Sequence, residues 1–211
     1  MFKTLLCLVA AWVSTSVLAQ ADGVSMPVVK AGEVAVFTVN DKASNRISEQ
    51  ILTITAVDDA LIKFKTVRPD RTPAEMDGIA TLEWHSVQSG SSGTRYDPPY
   101  PNLKFPLTVG STWQGVYEAT TLKGDRSKGE IDFKVVAAEK LMTPAGEFET
   151  FKIESGGWLT GVSWQGSFRM TQVQWYAPAI SRIVKTEYKD YRNGRLRNDR
   201  VTELKSFKPA P

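Results

Sequence analysis

"GGWLTGVSWQGSFRM", residues 156–170, decides how the chain is read. Two tryptophans and a phenylalanine lie among glycines, so the stretch is either an exposed aromatic platform or one face of a strand. Taken as a strand, Trp158, Trp164, Phe168 and Met170 fall on one side with Thr160 and Val162. Leu159, Ser163, Gln165, Arg169 and Thr171 fall on the other. The first set is mainly apolar and the second largely polar, which is how a half-buried strand is written. On this reading both indoles belong to a core face or a cavity wall.

The same two-residue alternation runs through the chain. "EVAVFTVN" (33–40) sets Val34, Val36 and Thr38 against Ala35, Phe37 and Val39. "QILTITAV" (50–57) and "ALIKFKTV" (60–67) alternate likewise on either side of the turn pair Asp58-Asp59. "ATLEWHSV" (80–87), "TWQGVYEAT" (112–120), "EIDFKVVAAEKL" (130–141), "FETFKIES" (148–155), "RIVKTEYKDY" (182–191) and "RLRNDRVTELKSF" (195–207) are similar. These runs are rich in β-branched and aromatic residues and are separated by Gly, Pro, Asn or Asp. No stretch of helical length keeps a 3.6-residue apolar stripe. The expected fold is therefore all-β, an antiparallel sheet curved into a sandwich or a partly open barrel.

Two turns are readable in detail. Pro144-Ala145-Gly146 joins two strands, and Asn193-Gly194 signals a type I′ hairpin. A two-residue loop there would pair Arg192 with Arg195, Asp190 with Arg197 and Glu187 with Arg200. That register later strains, with Val184 against Glu203, and a bulge near Glu203 would relieve it. Residues 31–66 also resemble residues 109–154, which suggests two related halves, 20–95 and 96–211, in one continuous β structure. Between their strands lies "SGSSGTRYDPPYPNLKFP" (89–106), whose prolines mark a connector that folds over a sheet edge or seals one end.

The first residues carry a different message. Lys3 precedes an apolar run from Leu5 to Leu18 that ends in Val17-Leu18-Ala19, the pattern of a secretory signal peptide at residues 1–19, with cleavage after Ala19 or alternatively Ala21. The run is too short for a membrane span, so no transmembrane anchor is expected. The one cysteine, Cys7, lies inside this segment, and the mature chain would have no disulfide. The formal charge of +3 gives no basic face dense enough for nucleic acid. The expected location is the periplasm, or alternatively outside the cell.

"YDPPYPNLKFPLTVGSTW", "VVAAEKLMTPAGEFETFKIE" and "WYAPAISRIVKTEY" together resemble a family of bacterial exported all-β proteins that carry a domain of unknown function. The order of signatures is a proline-rich lead-in, a Gly-x-x-Trp strand, a Pro-Ala-Gly turn and a Trp-Tyr-Ala-Pro turn, over about residues 96–207. Ala179 stands where such proteins often have glycine. The resemblance implies an exported β fold and no established catalysis.

No residue set points to a catalytic site. "GVSWQG" (161–166) is one residue too long for a nucleophile elbow, and the only histidine, His85, reads as a hydrogen-bonded structural or surface residue. One histidine and no mature cysteine make no zinc site, and Asp41 and Asp58-Asp59 lack calcium-loop spacing, so no metal or cofactor is expected. A carboxylate pair of an envelope hydrolase cannot be picked out. The leading expectation is a soluble, non-enzymatic binding protein, with Trp113, Trp158, Trp164 and Trp175 lining a concavity for an apolar small molecule or lipid. Arg192, Arg195, Arg197 and Arg200 around the last hairpin form a solvated end or contact an anionic surface or cell-envelope protein. A structural or accessory subunit is the remaining alternative.

Overall fold

The computed structural model describes residues 23–211, so the signal peptide expected at 1–19 and Cys7 lie outside the described residues. Twelve strands follow one another: β1 (Val34–Asp41), β2 (Arg46–Val57), β3 (Leu61–Val67), β4 (Glu75–Thr81), β5 (Ser86–Gln88), β6 (Arg95–Tyr100), β7 (Thr112–Thr120), β8 (Arg126–Thr143), β9 (Gly146–Gly161), β10 (Ser167–Ala177), β11 (Arg182–Arg192) and β12 (Arg195–Lys208). Each pairs antiparallel with its sequence neighbours, and β1 pairs with β12, from Val34 opposite Lys208 to Asp41 opposite Arg200. The sheet is thus a closed up-and-down barrel. This excludes the sandwich and corrects the partly open barrel, because the first and last strands satisfy each other's backbone groups and leave no edge.

Alternation sets the two faces of the wall. On β8, Gly129, Ile131, Phe133 and Val135 are buried, while Lys128, Glu130, Asp132 and Lys134 are exposed. A barrel that spans a membrane carries its apolar band outside; β8 has the opposite polarity. Eight strands enclose a lumen that side chains just fill, and sixteen or more leave a channel. Twelve lie between these limits, so part of this lumen needs other filling.

The segment between β6 and β7 supplies it at one end. Leu103 and Leu107 are completely buried, Phe105 packs edge-on against Tyr176 at 5.7 Å, and Val24 forms an isolated bridge with Leu107. Side chains fasten this plug: Asn102 donates to Trp84 O and Ser86 Oγ, and Trp113 donates its indole N–H to Pro101 O at 2.9 Å. Pairing between β6 and β7 stops at Asp97, directly before Pro98-Pro99, since proline has no N–H to continue the ladder.

Several local expectations change. Residues 156–170 are not one strand. Gly161 and Gly166 close a hairpin, with Gly161 N–H donating to Gly166 O at 2.9 Å. Gly166 has φ +111, and a Cβ on Gly161 would meet Trp164 O, so the turn needs both glycines. The turn pairs Leu159 with Phe168 and Trp158 with Arg169, which sends Trp158 to the outside, 54% exposed. "ATLEWHSV" is also broken: β4 ends at Thr81, and Trp84 sits at φ 63 in a turn, its indole N–H donating to Ser181 O. In the last hairpin Asn193 and Gly194 both have positive φ and Arg192 faces Arg195, as a type I′ turn requires. The irregularity falls at Arg197 and not near Glu203, so Asp190 faces Asn198 and Tyr188 faces Arg200. Lys185 thereby meets Glu203, 3.9 Å away.

Candidate functional site

In an up-and-down barrel every second turn lies at the same end. The turns β5–β6, β7–β8, β9–β10 and β11–β12 surround the end opposite the plug, and a cavity of about 780 Å³ opens there into the lumen. Three tyrosines form its inner wall. Tyr96, Tyr100 and Tyr117 touch one another with ring centroids 5.1–5.7 Å apart. The Tyr117 ring can lie across β8 only because position 129 is glycine: a Cβ there would come within 2.3 Å of the ring. Burial holds the phenols of Tyr96, Tyr100, Tyr117 and Tyr188 above their ordinary value. For Tyr188, the neighbouring Asp190 adds to the effect, and Tyr188 donates its hydroxyl to that carboxylate. These groups stay neutral, and while the Tyr188 proton is engaged by Asp190, Tyr96, Tyr100 and Tyr117 keep hydroxyls that can donate hydrogen bonds.

The opposite wall is built by β10. Phe168 and Met170 face in, and the same phase continues into Gln172 and Gln174. Gln174 is 4% exposed, lines the cavity, and its Oε1 has no hydrogen-bond partner among the described residues. A buried acceptor left unpaired costs about 1–3 kcal/mol, which a donor arriving from the cavity would recover. At the rim, Trp164 is stacked on Phe168 at 6.3 Å, and the Arg192 guanidinium lies 5.3 Å above the indole. Ser, Thr, Asn and Gln side chains make up about half of the cavity lining.

The four tryptophans expected around one concavity are dispersed. Only Trp164 lines this cavity. Trp113 stacks on Phe133 at 5.1 Å, its N–H held by the plug. Trp158 is outside. Trp175 is buried in a second apolar cluster with Phe37, Val184 and Leu204, its indole N–H donating to Glu139 at 2.7 Å. The four arginines divide as well: Arg192 covers Trp164, Arg195 and Arg197 are exposed at the hairpin tip, and Arg200 is half-buried opposite Tyr188. Gln172, Gln174, Asn102 and Tyr117 were missed. The available signal was the Gln-x-Gln spacing that continues the phase of Phe168 and Met170.

The catalytic and metal alternatives meet specific obstacles. His85 Nε2 lies 2.7 Å from Leu103 O and must donate to it, at the plugged end, whereas Ser163 is at the open end and accepts from Arg126 N–H. Asp58 Oδ1 accepts from Ala60 and Leu61 N–H, and Asp41 accepts from Ser44 N–H, so both carboxylates serve their own turns. Among the described residues the cavity wall carries one carboxylate, Asp125, where a glycosidase needs a facing pair.

No protein-family model matches the chain, and no curated protein is significantly similar to it. Solved structures do share its fold. A putative exported protein with a YmcC-like fold from Bacteroides fragilis superposes with a TM-score of 0.58 at 15% identity, covering 89% of this chain and 100% of that one. A putative lipoprotein from Parabacteroides distasonis also gives 0.58, at 16% identity over the same shares. At such identities the likeness shows a shared fold alone.

Proposed function

We propose that the chain is an exported, non-catalytic binding protein that takes a hydroxyl-rich, ring-containing ligand of the saccharide class into the open end of its barrel. The observation that carries this reading is Gln174: a buried amide, aimed into an aromatic cavity, with its oxygen unpaired. Around it, tyrosine rings offer faces for stacking on the apolar faces of a sugar ring, and neutral hydroxyl and amide groups offer donors and acceptors. An acyl chain, the ligand expected from the tryptophan pattern, would leave those groups unpaired against hydrocarbon. Of the four tryptophans that would have suited it, Trp113 packs against the main core, Trp175 is buried in the second cluster and Trp158 faces outward, which leaves only Trp164 at the cavity.

Export is supported by the signal-peptide pattern at 1–19, by the proline-rich, Pro-Ala-Gly and Trp-Tyr-Ala-Pro signatures, and by the descriptions of the proteins that share the fold. The periplasm is the proposed compartment. Purified protein screened on an array of neutral and acidic bacterial and plant oligosaccharides tests the reading. Binding that is lost in Gln174→Leu and weakened about tenfold in Trp164→Ala is expected. Absence of binding across the array, together with fatty acyl lipid extracted from the native protein, would overturn it in favour of the apolar ligand.

A further inference from the structure

The open end has a second compartment. A bay of about 440 Å³ lies between the β3–β4 loop and the β5–β6 and β7–β8 turns, and it shares Ser91, Thr94, Thr121 and Asp125 with the cavity described above. Its other wall differs in chemistry. Arg68 continues the inward phase of Phe64 and Thr66 beyond the end of β3, so its side chain enters the barrel and does not leave it, and it is 6% exposed. Its Nε has no hydrogen-bond partner among the described residues, and neither does the buried Thr66 Oγ1 beside it. Arg71 and Lys123 line the same bay and are exposed.

Counter-charge does not account for this cluster. Asp70 Oδ1 is 3.7 Å from Arg68 Nε, outside hydrogen-bonding range, and the same carboxylate lies 3.8 Å from Arg46. Burial depresses the Arg68 guanidinium, and Arg71, Arg200 and Arg46 depress it further by repulsion, with only Asp70 opposing them. Asp125, at the boundary with the main cavity, is the one carboxylate among the described residues that lines the bay, against Arg68, Arg71 and Lys123. A buried guanidinium that shares one carboxylate, Asp70, with Arg46 and has Arg71 beside it, with a free N–H and a free hydroxyl on neighbouring inward positions, is the donor set that an oxyanion satisfies.

We infer that this bay is an oxyanion subsite, with Arg68 and Thr66 as its buried donors and Arg71 and Lys123 as its outer cations, so that the ligand is an acidic saccharide bearing a carboxylate or a phosphate. The inference rests on the saccharide reading of the adjoining cavity and adds the charge of the ligand to it. The sugar ring lies in the neutral cavity, and its anionic substituent crosses the shared boundary at Ser91 and Thr94 into the bay. The wall thus sorts ligand groups by charge: neutral donors and acceptors on the β10 side, cations on the β3 side.

The test separates the two readings by using small anions that need no sugar site. Uniformly 15N-labelled protein is titrated with inorganic phosphate and, separately, with glucuronate, at constant ionic strength set with chloride, following the arginine Nε–H resonances. A saturable shift of the Arg68 resonance is expected, absent in Arg68→Gln and at least fivefold weaker in Arg71→Gln, whose exposed site leaves folding intact. Phosphate saturating at lower concentration than glucuronate points to a phosphorylated sugar, and the reverse to a uronate. A shift that never saturates, or that appears equally at the exposed Arg195 and Arg197, would overturn the subsite while leaving the array result for neutral saccharides untouched. Saturable anion binding with a blank array would instead remove the sugar reading, and with it the acidic-saccharide assignment.

Discussion

The two ends of the barrel solve the same problem in opposite ways. At the plugged end, a lumen too wide for side chains alone is filled by the chain itself: Leu103, Leu107, Phe105 and Tyr176 pack together, and the polar groups of Trp84, His85, Asn102 and Trp113 all find partners. At the open end, the lumen keeps a void, and buried polar atoms of Gln174, Thr66 and Arg68 remain unpaired. The plugged end also leaves Arg182 Nε unpaired among the described residues, but that guanidinium is held by Glu33 through Nη2 at 2.7 Å. Gln174 Oε1, Thr66 Oγ1 and Arg68 Nε instead border open cavities, and that difference separates a structural end from a binding end. Stability should reside in the first and affinity in the second.

The comparison breaks most sharply with a cavity at the plug. Leu107→Ala should lower unfolding free energy by about 2–5 kcal/mol, read as a lower urea midpoint with an unchanged slope. A loss under about 1 kcal/mol would show that the plug is not part of the cooperative core. Next in size, Gly129→Ala sets a methyl against the Tyr117 ring and should cost about 1–3 kcal/mol while narrowing the cavity. Unchanged ligand binding in that variant would mean that Tyr117 does not shape the site.

Alkaline pH gives a graded effect on both ends. Burial raises the phenols of Tyr96, Tyr100, Tyr117 and Tyr188, and pushes Tyr176 up to about 12, from an ordinary value of 10. As pH rises past 10, the unfolded chain releases these protons before the folded one does. The stabilisation is therefore complete below about pH 10 and falls through about 12 and beyond. Melting temperature should be level from pH 8 to 9.5 and decline above 10, with most tyrosinate absorbance appearing at unfolding. Five of the six tyrosines ionising in the native state near pH 10 would contradict this. The smallest stability effect is at the site itself: Gln174→Leu removes an unpaired buried acceptor and should cost less than about 1 kcal/mol while abolishing ligand binding.

Much of the barrel was written in its alternation. "TWQGVYEAT" coincides with β7, and "RIVKTEYKDY" with nearly all of β11. Closure was not legible, because it depends on β1 meeting β12 across the whole chain, and local periodicity carries no record of that pairing. The hairpin at 162–166 was hidden by its tryptophan, which continues the apolar phase of Trp158 through a turn. The site was harder still. On β10 the inward phase passes from Phe168 and Met170 to Gln172 and Gln174, while the apolar phase shifts to Val173 and Trp175 on the opposite face. A strand lining a polar lumen at one end and covering a second core at its other looks inverted, and this placed Trp175 in a pocket it does not enter.

The most direct measurement is a set of indole N–H and glutamine side-chain amide NMR spectra of the wild-type protein as a saccharide identified on the array is added. The expected result is a joint, saturable shift of the Trp164 indole and the Gln174 amide, with Trp113, Trp158 and Trp175 unmoved. Shifts at Trp158 on the outer wall, with Gln174 unchanged, would contradict a binding site inside the barrel.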